Sequence, residues 1–229
     1  MVSPPTWIDP VEGHRLWAAN YDADLNPLLA LEQRTLQPHL DGLNGKFVVD
    51  IGCGTGRWMV FAQAGGATVV GLDLTAEMLA QAATKPGLKG NLACSDARRL
   101  PLADAAADLT LCSFCVSYVS DLTGVFAELG RITRPGGRII VSDIHPAACA
   151  AGWKRTFRNA GRLYEMQLDS RRKANPLRAG QQAGLTLWRV LEPRLAEAEY
   201  PFFEKAGKEE VYESVAKLPA LLITLWDRT

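Results

Sequence analysis

The spacing of apolar positions changes several times along the chain. Leu25, Leu28, Leu29, Leu36 and Leu40 recur near helical spacing and predict a helix from Asp22 to Leu40. Asp22 or Asp24 can cap its start, and Pro27 is tolerated only in the first turn. The proline-rich residues 1–11 predict an irregular arm. Short apolar runs then alternate with helical stretches. Lys46–Ile51, Ala67–Asp73, Leu88–Cys94, Asp108–Ser113 and Arg138–Asp143 are strand candidates. Helices fall at Arg57–Ala64, at Ala76–Ala83 with Thr75 as its cap, and at Leu122–Thr133, which Pro135-Gly136-Gly137 breaks. Such alternation implies an α/β domain, a parallel sheet with helices on both faces. The strands are near-continuously apolar, as a sheet covered on both sides requires.

After His145-Pro146 the texture changes. Lys154, Arg155, Arg158, Arg162, Arg171, Arg172, Lys173 and Arg178 face only Glu165 and Asp169, with Trp153, Phe157, Leu163, Tyr164 and Leu168 interleaved. This predicts a basic amphipathic helical insertion over 147–180, acting as a lid. Leu185–Leu191 and Ala220–Trp226 are two further strands, and Glu192–Pro219 is mixed and part loop. The chain has 229 residues, enough for one domain (1–229) with an N-terminal arm and helical cap (1–41) and this insertion.

Composition narrows the function. Basic and acidic residues balance at 25 each, which weighs against a nucleic-acid grip along the whole surface. The longest apolar stretch, Leu218–Trp226, is far short of the ~20 residues of a membrane helix, and the first residues lack a signal-peptide pattern. A cytoplasmic protein is expected. The five cysteines are odd in number, so no disulfide framework is expected. Cys112 and Cys115 form a lone C-x-x-C inside an apolar run, which reads as core packing rather than zinc or redox chemistry, and no metal site is expected.

The strongest chemical signal is V-V-D-I-G-C-G-T-G-R, Val48 to Arg57. A strand turns through Gly52, Gly54 and Gly56 into a helix. Glycine permits positive φ and close ligand approach, and the helix start offers free N–H groups. The dinucleotide fingerprint G-x-G-x-x-G fails at its third glycine, because position 57 is Arg, and no Gly-Lys-Ser/Thr follows as in a P-loop. Asp73 ends the second strand about 20 residues later, where a carboxylate can accept from both ribose hydroxyls. Asp96 follows the third strand, where it can accept from an adenine amino group.

On these pieces, with G-L-D-L-T-A-E-M-L and E-L-G-R-I-T-R-P-G-G-R-I-I-V-S-D, the sequence resembles the class I S-adenosylmethionine-dependent methyltransferases. It is most similar to the ubiquinone/menaquinone-type and natural-product branch. The resemblance is close from Trp17 to Pro146 and loose beyond. It implies a Rossmann-like seven-stranded, mostly parallel sheet. It also implies S-adenosyl-L-methionine as cofactor and S-adenosyl-L-homocysteine as product. Gly52, Cys53, Gly54 and Gly56 would line the methionine part, with Asp50 positioning its ammonium through the loop. Asp73 would hold the ribose, Leu74 and Met78 would flank the adenine, and Asp96 and the Ala97 N–H would meet its edge. Ser113 would bring a backbone carbonyl to the methionine amino group. Trp17 and Tyr21 match the aromatic segment that closes over such sites. Relatives carry Leu-His-Tyr after the fourth strand, where this chain has Val116-Ser117-Tyr118.

Methyl transfer is an in-line displacement in which alignment and exclusion of water do much of the work. Where a base is needed, His145 after the fifth strand is the first candidate, with Tyr118 beside it in weight. His14 and His39 have weaker cases. The expected acceptor is a small molecule, anionic or aromatic, met by the basic insertion. The competing readings are an RNA methyltransferase and a cofactor-binding member repurposed for other chemistry or regulation. Monomer and homodimer both remain open.

Overall fold

The computed structural model describes residues 4–24, 26–166 and 175–229. Leu25 of the first helical pattern, and Leu168, Asp169, Arg171, Arg172 and Lys173 of the basic segment, lie outside the described residues. In chain order the first half runs β1 (Thr6–Ile8), α1 (Pro10–Trp17), α2 (Pro27–Leu36), β2 (Phe47–Ile51), α3 (Arg57–Ala64), β3 (Thr68–Asp73), α4 (Ala76–Ala82), β4 (Leu92–Cys94), β5 (Ala107–Ser113) and α5 (Leu122–Ile132). The second half runs β6 (Thr133–Ile144), α6 (Pro146–Ala150), β7 (Arg155–Asn159), β8 (Arg162–Met166), α7 (Pro176–Gln182), β9 (Thr186–Leu191), α8 (Tyr200–Lys205), α9 (Glu209–Val215) and β10 (Leu221–Asp227).

Seven strands form one sheet in the order β4-β3-β2-β5-β6-β10-β9. β2 to β6 pair in parallel, and β10 runs antiparallel between β6 and β9. From β2 the chain steps outward to β3 and β4, then returns to place β5 on the other side of β2. Order reverses there, so a crevice opens beyond the carboxyl ends of β2 and β5. Side chains alternate between two cores. Val48, Leu109, Leu111 and Ile140 pack on one face, and Val49, Ile51, Cys112, Ile139 and Val141 on the other. Pro135-Gly136-Gly137 does not separate helix from strand. It bulges inside β6, where Ala107 pairs with Thr133 and Leu109 with Arg138. Among the described residues no helix is long and apolar enough to cross a membrane.

Outside the sheet the structure corrects several sequence expectations. The basic insertion is helical only at its two ends, in α6 and the start of α7, and its described middle is not. β7 and β8 form a hairpin whose turn residues Ala160 and Gly161 have φ of 47° and 77°, as a tight two-residue turn requires. Along β7 burial alternates, with Arg155 and Phe157 inward and Thr156 and Arg158 outward. The arm is not irregular either. β1 pairs in parallel with β8, and a three-stranded β1-β8-β7 sheet results. Gly13 lets α1 close on this sheet, because a Cβ there would lie 2.7 Å from Met166 Cγ. The first long helix starts at Pro27, capped by Asn26 Oδ1 accepting the Leu28 N–H at 3.0 Å, rather than at Asp22 or Asp24. Thr75 makes no side-chain cap to α4, and its own N–H donates to Asp73 Oδ1 at 2.8 Å. Between Glu192 and Pro219 the chain forms α8 and α9.

Candidate functional site

At the crevice β2 ends and Gly52, Gly54 and Gly56 adopt φ of 67°, 53° and 81°. A Cβ on Gly52 would meet Cys115 Cβ at 2.7 Å, so the loop lies against the end of β5. The Gly54 N–H donates to Asp73 Oδ2 at 2.8 Å. Asp73 thus ties the loop to the end of β3 while its remaining lone pairs stay open to a ligand. A cavity of about 210 Å³ begins here, lined by Gly52, Gly54, Asp73, Leu74, Met78, Asp96, Ala97 and Ser113. Leu74 is 49% exposed and forms an open apolar wall. The Asp96 carboxylate is gripped by Arg98 Nε at 2.9 Å, which lowers its pKa.

A small extension of the crevice reaches Asp50, Cys53, Arg57 and again Tyr21, Gly52, Gly54 and Ser113. Asp50 is 2% exposed, and burial pushes its carboxyl up to about 8, against the opposing charge of Arg57. Asp50 Oδ1 and Arg57 Nη1 are buried without a hydrogen-bond partner among the described residues. Glu32 from α2 is fully buried beneath them. It accepts from Arg57, from Trp58 Nε1 at 3.2 Å, from Ser113 Oγ at 2.8 Å and from Ser142.

The roof comes from α1 and the loop after it. Tyr21 lines the cavity, and Trp17 packs edge-on against it with ring centroids 4.7 Å apart. Trp17 itself is buried, stacks on Phe157 at 5.1 Å and donates to Asp24. Asp22 fastens the loop to the floor, accepting from Thr55 Oγ1 at 2.6 Å and pairing with Lys85 at 2.8 Å.

The far wall is made by His14, Phe114, Tyr118 and Arg155. His14 Nδ1 lies 2.7 Å from the Pro10 carbonyl, which can only accept, so that nitrogen carries the proton. Burial lowers the pKa of His14, and its ring meets Tyr118 edge-on at 5.2 Å. Phe114 and Arg155 also line a second cavity, of about 470 Å³, with Trp17, Leu28, Trp153, Phe157 and Phe203.

Most of the residues singled out in the sequence therefore converge. Asp50, Gly52, Cys53, Gly54, Asp73, Leu74, Met78, Asp96, Ala97, Ser113, Tyr21 and Tyr118 line the connected crevice. Trp17 lines the second cavity, and Gly56 lines none of these three spaces, serving instead as the start of α3. His145 lies apart from these residues. Its Nδ1 accepts from the Ala147 N–H at 3.0 Å to cap α6, its Nε2 lies 2.9 Å from Glu192, and it lines none of the three cavities. Arg155, Glu32 and Phe114 were missed. Arg155 was one of many cations in a run read as a helical lid, and Glu32 was hidden in an apolar helix pattern.

Comparison with known proteins agrees with this geometry. Residues 49–141 match the methyltransferase domain family. The malonyl-[acyl-carrier protein] O-methyltransferase of Serratia marcescens is 37% identical over 131 residues, covering 56% of this chain and 49% of that protein. The chain spans about half the length of the curated relatives it matches. An S-adenosylmethionine-dependent methyltransferase from Mesorhizobium loti superposes with a TM-score of 0.67 at 24% identity, covering 89% of this chain and 100% of that one. The geranyl diphosphate C-methyltransferase of Streptomyces coelicolor A3(2) gives 0.63 at 21% identity, covering 100% and 92%. Residues 49–141 thus match a methyltransferase domain, and the strand order, the glycine loop and the Asp73 position give the chain the fold of the S-adenosylmethionine-dependent methyltransferases on which it superposes.

Proposed function

We propose that the chain transfers a methyl group from S-adenosyl-L-methionine to a small-molecule acceptor by in-line displacement. The observation that carries the reading is the pair of unpartnered buried atoms beside the glycine loop, Asp50 Oδ1 and Arg57 Nη1. One is an acceptor and the other a donor, the set that an amino acid's ammonium and carboxylate would satisfy. When bound, the cofactor supplies an electrophilic methyl on a sulfonium. Asp50 would hold the ammonium together with the Ser113 carbonyl, while Gly52, Cys53 and Gly54 let the backbone approach. Asp73 would accept from the ribose hydroxyls with the lone pairs that Gly54 and Thr75 leave free. Leu74 and Met78 would flank the adenine, and Asp96 and Ala97 would meet its edge. Tyr21, backed by Trp17, would shut water out from above. Tyr118 faces the reacting side, and the larger cavity beyond Phe114 would take the acceptor.

The test is calorimetric titration with S-adenosyl-L-methionine and, separately, S-adenosyl-L-homocysteine. Micromolar binding of both is expected. Absence of binding to either would overturn the reading. The first acceptors to screen are oxygen nucleophiles, since the curated relatives are O-methyltransferases.

A further inference from the structure

Among the described residues, the buried polar side-chain atoms without partners fall into two groups. Asp50 Oδ1 and Arg57 Nη1 belong to the glycine loop. Tyr118 Oη and Arg155 Nε belong to the opposite wall of the glycine-loop cavity, and Arg155 also lines the second cavity. From this second group we infer an oxyanion-binding subsite formed by Arg155 and Tyr118, and an acceptor that is an organic carboxylate with an apolar or aromatic body. The inference rests on the methyl-transfer reading for the identity of the neighbouring pocket.

Arg155 is 8% exposed, and its guanidinium lies 4.5 Å from the Phe114 ring centroid and 5.6 Å from that of Tyr118. Its described hydrogen bond runs from Nη2 to Asp143 Oδ1 at 3.2 Å. Asp143 cannot turn to take the rest of the fork. Its Oδ2 accepts the Ser117 N–H at 2.7 Å and its Oδ1 accepts the Ile144 N–H at 2.7 Å. Leaving a buried donor unmade is costly, so two such donors on one wall mark a place for a shared acceptor. A ligand oxygen anion supplies it with charge-assisted bonds.

Charge argues for a carboxylate rather than a phosphate. Arg155 and Asp143 together are neutral, so one incoming negative charge meets a compensated site, whereas a dianion also meets the repulsion of Asp143. The body of such an acid fits the second cavity, walled by Leu28, Trp153, Phe157, Leu195 and Phe203. Arg158 and Lys208 also line it, and among the described residues neither makes a salt bridge. They add a positive approach for the anion.

The experiment titrates protein saturated with S-adenosyl-L-homocysteine with four probes: cinnamate, decanoate, cinnamamide and phenyl phosphate. Cinnamate is expected to bind at least about tenfold more tightly than its amide, the effect of one charge-assisted bond. Phenyl phosphate should be weaker than cinnamate. Tyr118→Phe removes a hydroxyl that has no partner among the described residues, so the fold is kept, and the acid preference should shrink severalfold. Arg155→Gln alone leaves Asp143 uncompensated, so the paired Arg155→Gln/Asp143→Asn variant is used, and the preference should vanish. Equal binding of acid and amide, no binding of either acid, tighter binding of the phosphate, or a preference retained in both variants would overturn the inference. Homocysteine-cofactor binding is read on every protein. Its loss in the wild type would count against the methyl-transfer reading, while acid binding lost with cofactor binding intact counts against this subsite alone.

Discussion

Asp50 keeps a proton that most carboxylates have released at neutral pH, because it is buried and only partly compensated by Arg57. Its pKa is raised in the folded chain to about 8, so between the ordinary carboxylate range and that value the folded state binds more protons than the unfolded one. Its contribution to stability therefore falls as pH rises through that window. Urea unfolding from pH 5 to 9 should show this slope, and Asp50→Asn should flatten it. An ammonium arriving beside Asp50 favours the ionised form. Titration with S-adenosyl-L-homocysteine at pH 7, in buffers of different ionisation enthalpy, should show proton release for the wild type and less for Asp50→Asn. Asp73 already serves two backbone donors at 2.8 Å each. Asp73→Ala should weaken cofactor binding by about 1–3 kcal/mol, through lost charge-assisted bonds and a loosened loop. Unchanged affinity in the same titration would remove Asp73 from the site.

At the scale of elements, legibility followed locality. The run from β2 through the glycines to α3 was readable because strand, turn and helix are neighbours in sequence, each with its own residue preferences. The same holds for β3 with Asp73 and β5 with Ser113. The hairpin β7-β8 was not read, although Ala160-Gly161 and the inward alternation of Arg155 and Phe157 carried its signature. Its cations mimicked the solvated face of a helix. β1 could not be read at all from its own residues, because its partner β8 lies in the other half of the chain. The contact between these elements is tight at Gly13. Gly13→Val should force α1 off Met166 and cost about 1–3 kcal/mol, as overpacking does. Urea unfolding would measure the cost. A weaker fit of the homocysteine cofactor should accompany it, since α1 carries the roof.

Over the whole molecule, one buried carboxylate joins parts that are far apart in sequence. Glu32 of α2 receives Arg57 and Trp58 from α3, Ser113 from β5 and Ser142 from β6. Glu32→Ala leaves Arg57 without its buried counter-charge and should cost about 3–5 kcal/mol in chemical unfolding. Glu32→Gln, which keeps the shape and some of the hydrogen bonds, should cost less. This residue was invisible in the sequence because burial of a charge is decided by partners from three other elements, not by its helix neighbours. The second cavity was hidden for the same reason, since its walls come from α2, the hairpin and the α8–α9 region. The parallel pairing of β1 with β8 has an evolutionary corollary. The opening strand and the inserted hairpin share one small core, in which Trp17, Phe157 and Met166 interlock. Neither segment can be exchanged between relatives by itself. A chimera that imports only the hairpin should leave β1 without its register and unfold at lower urea than one that imports both segments together.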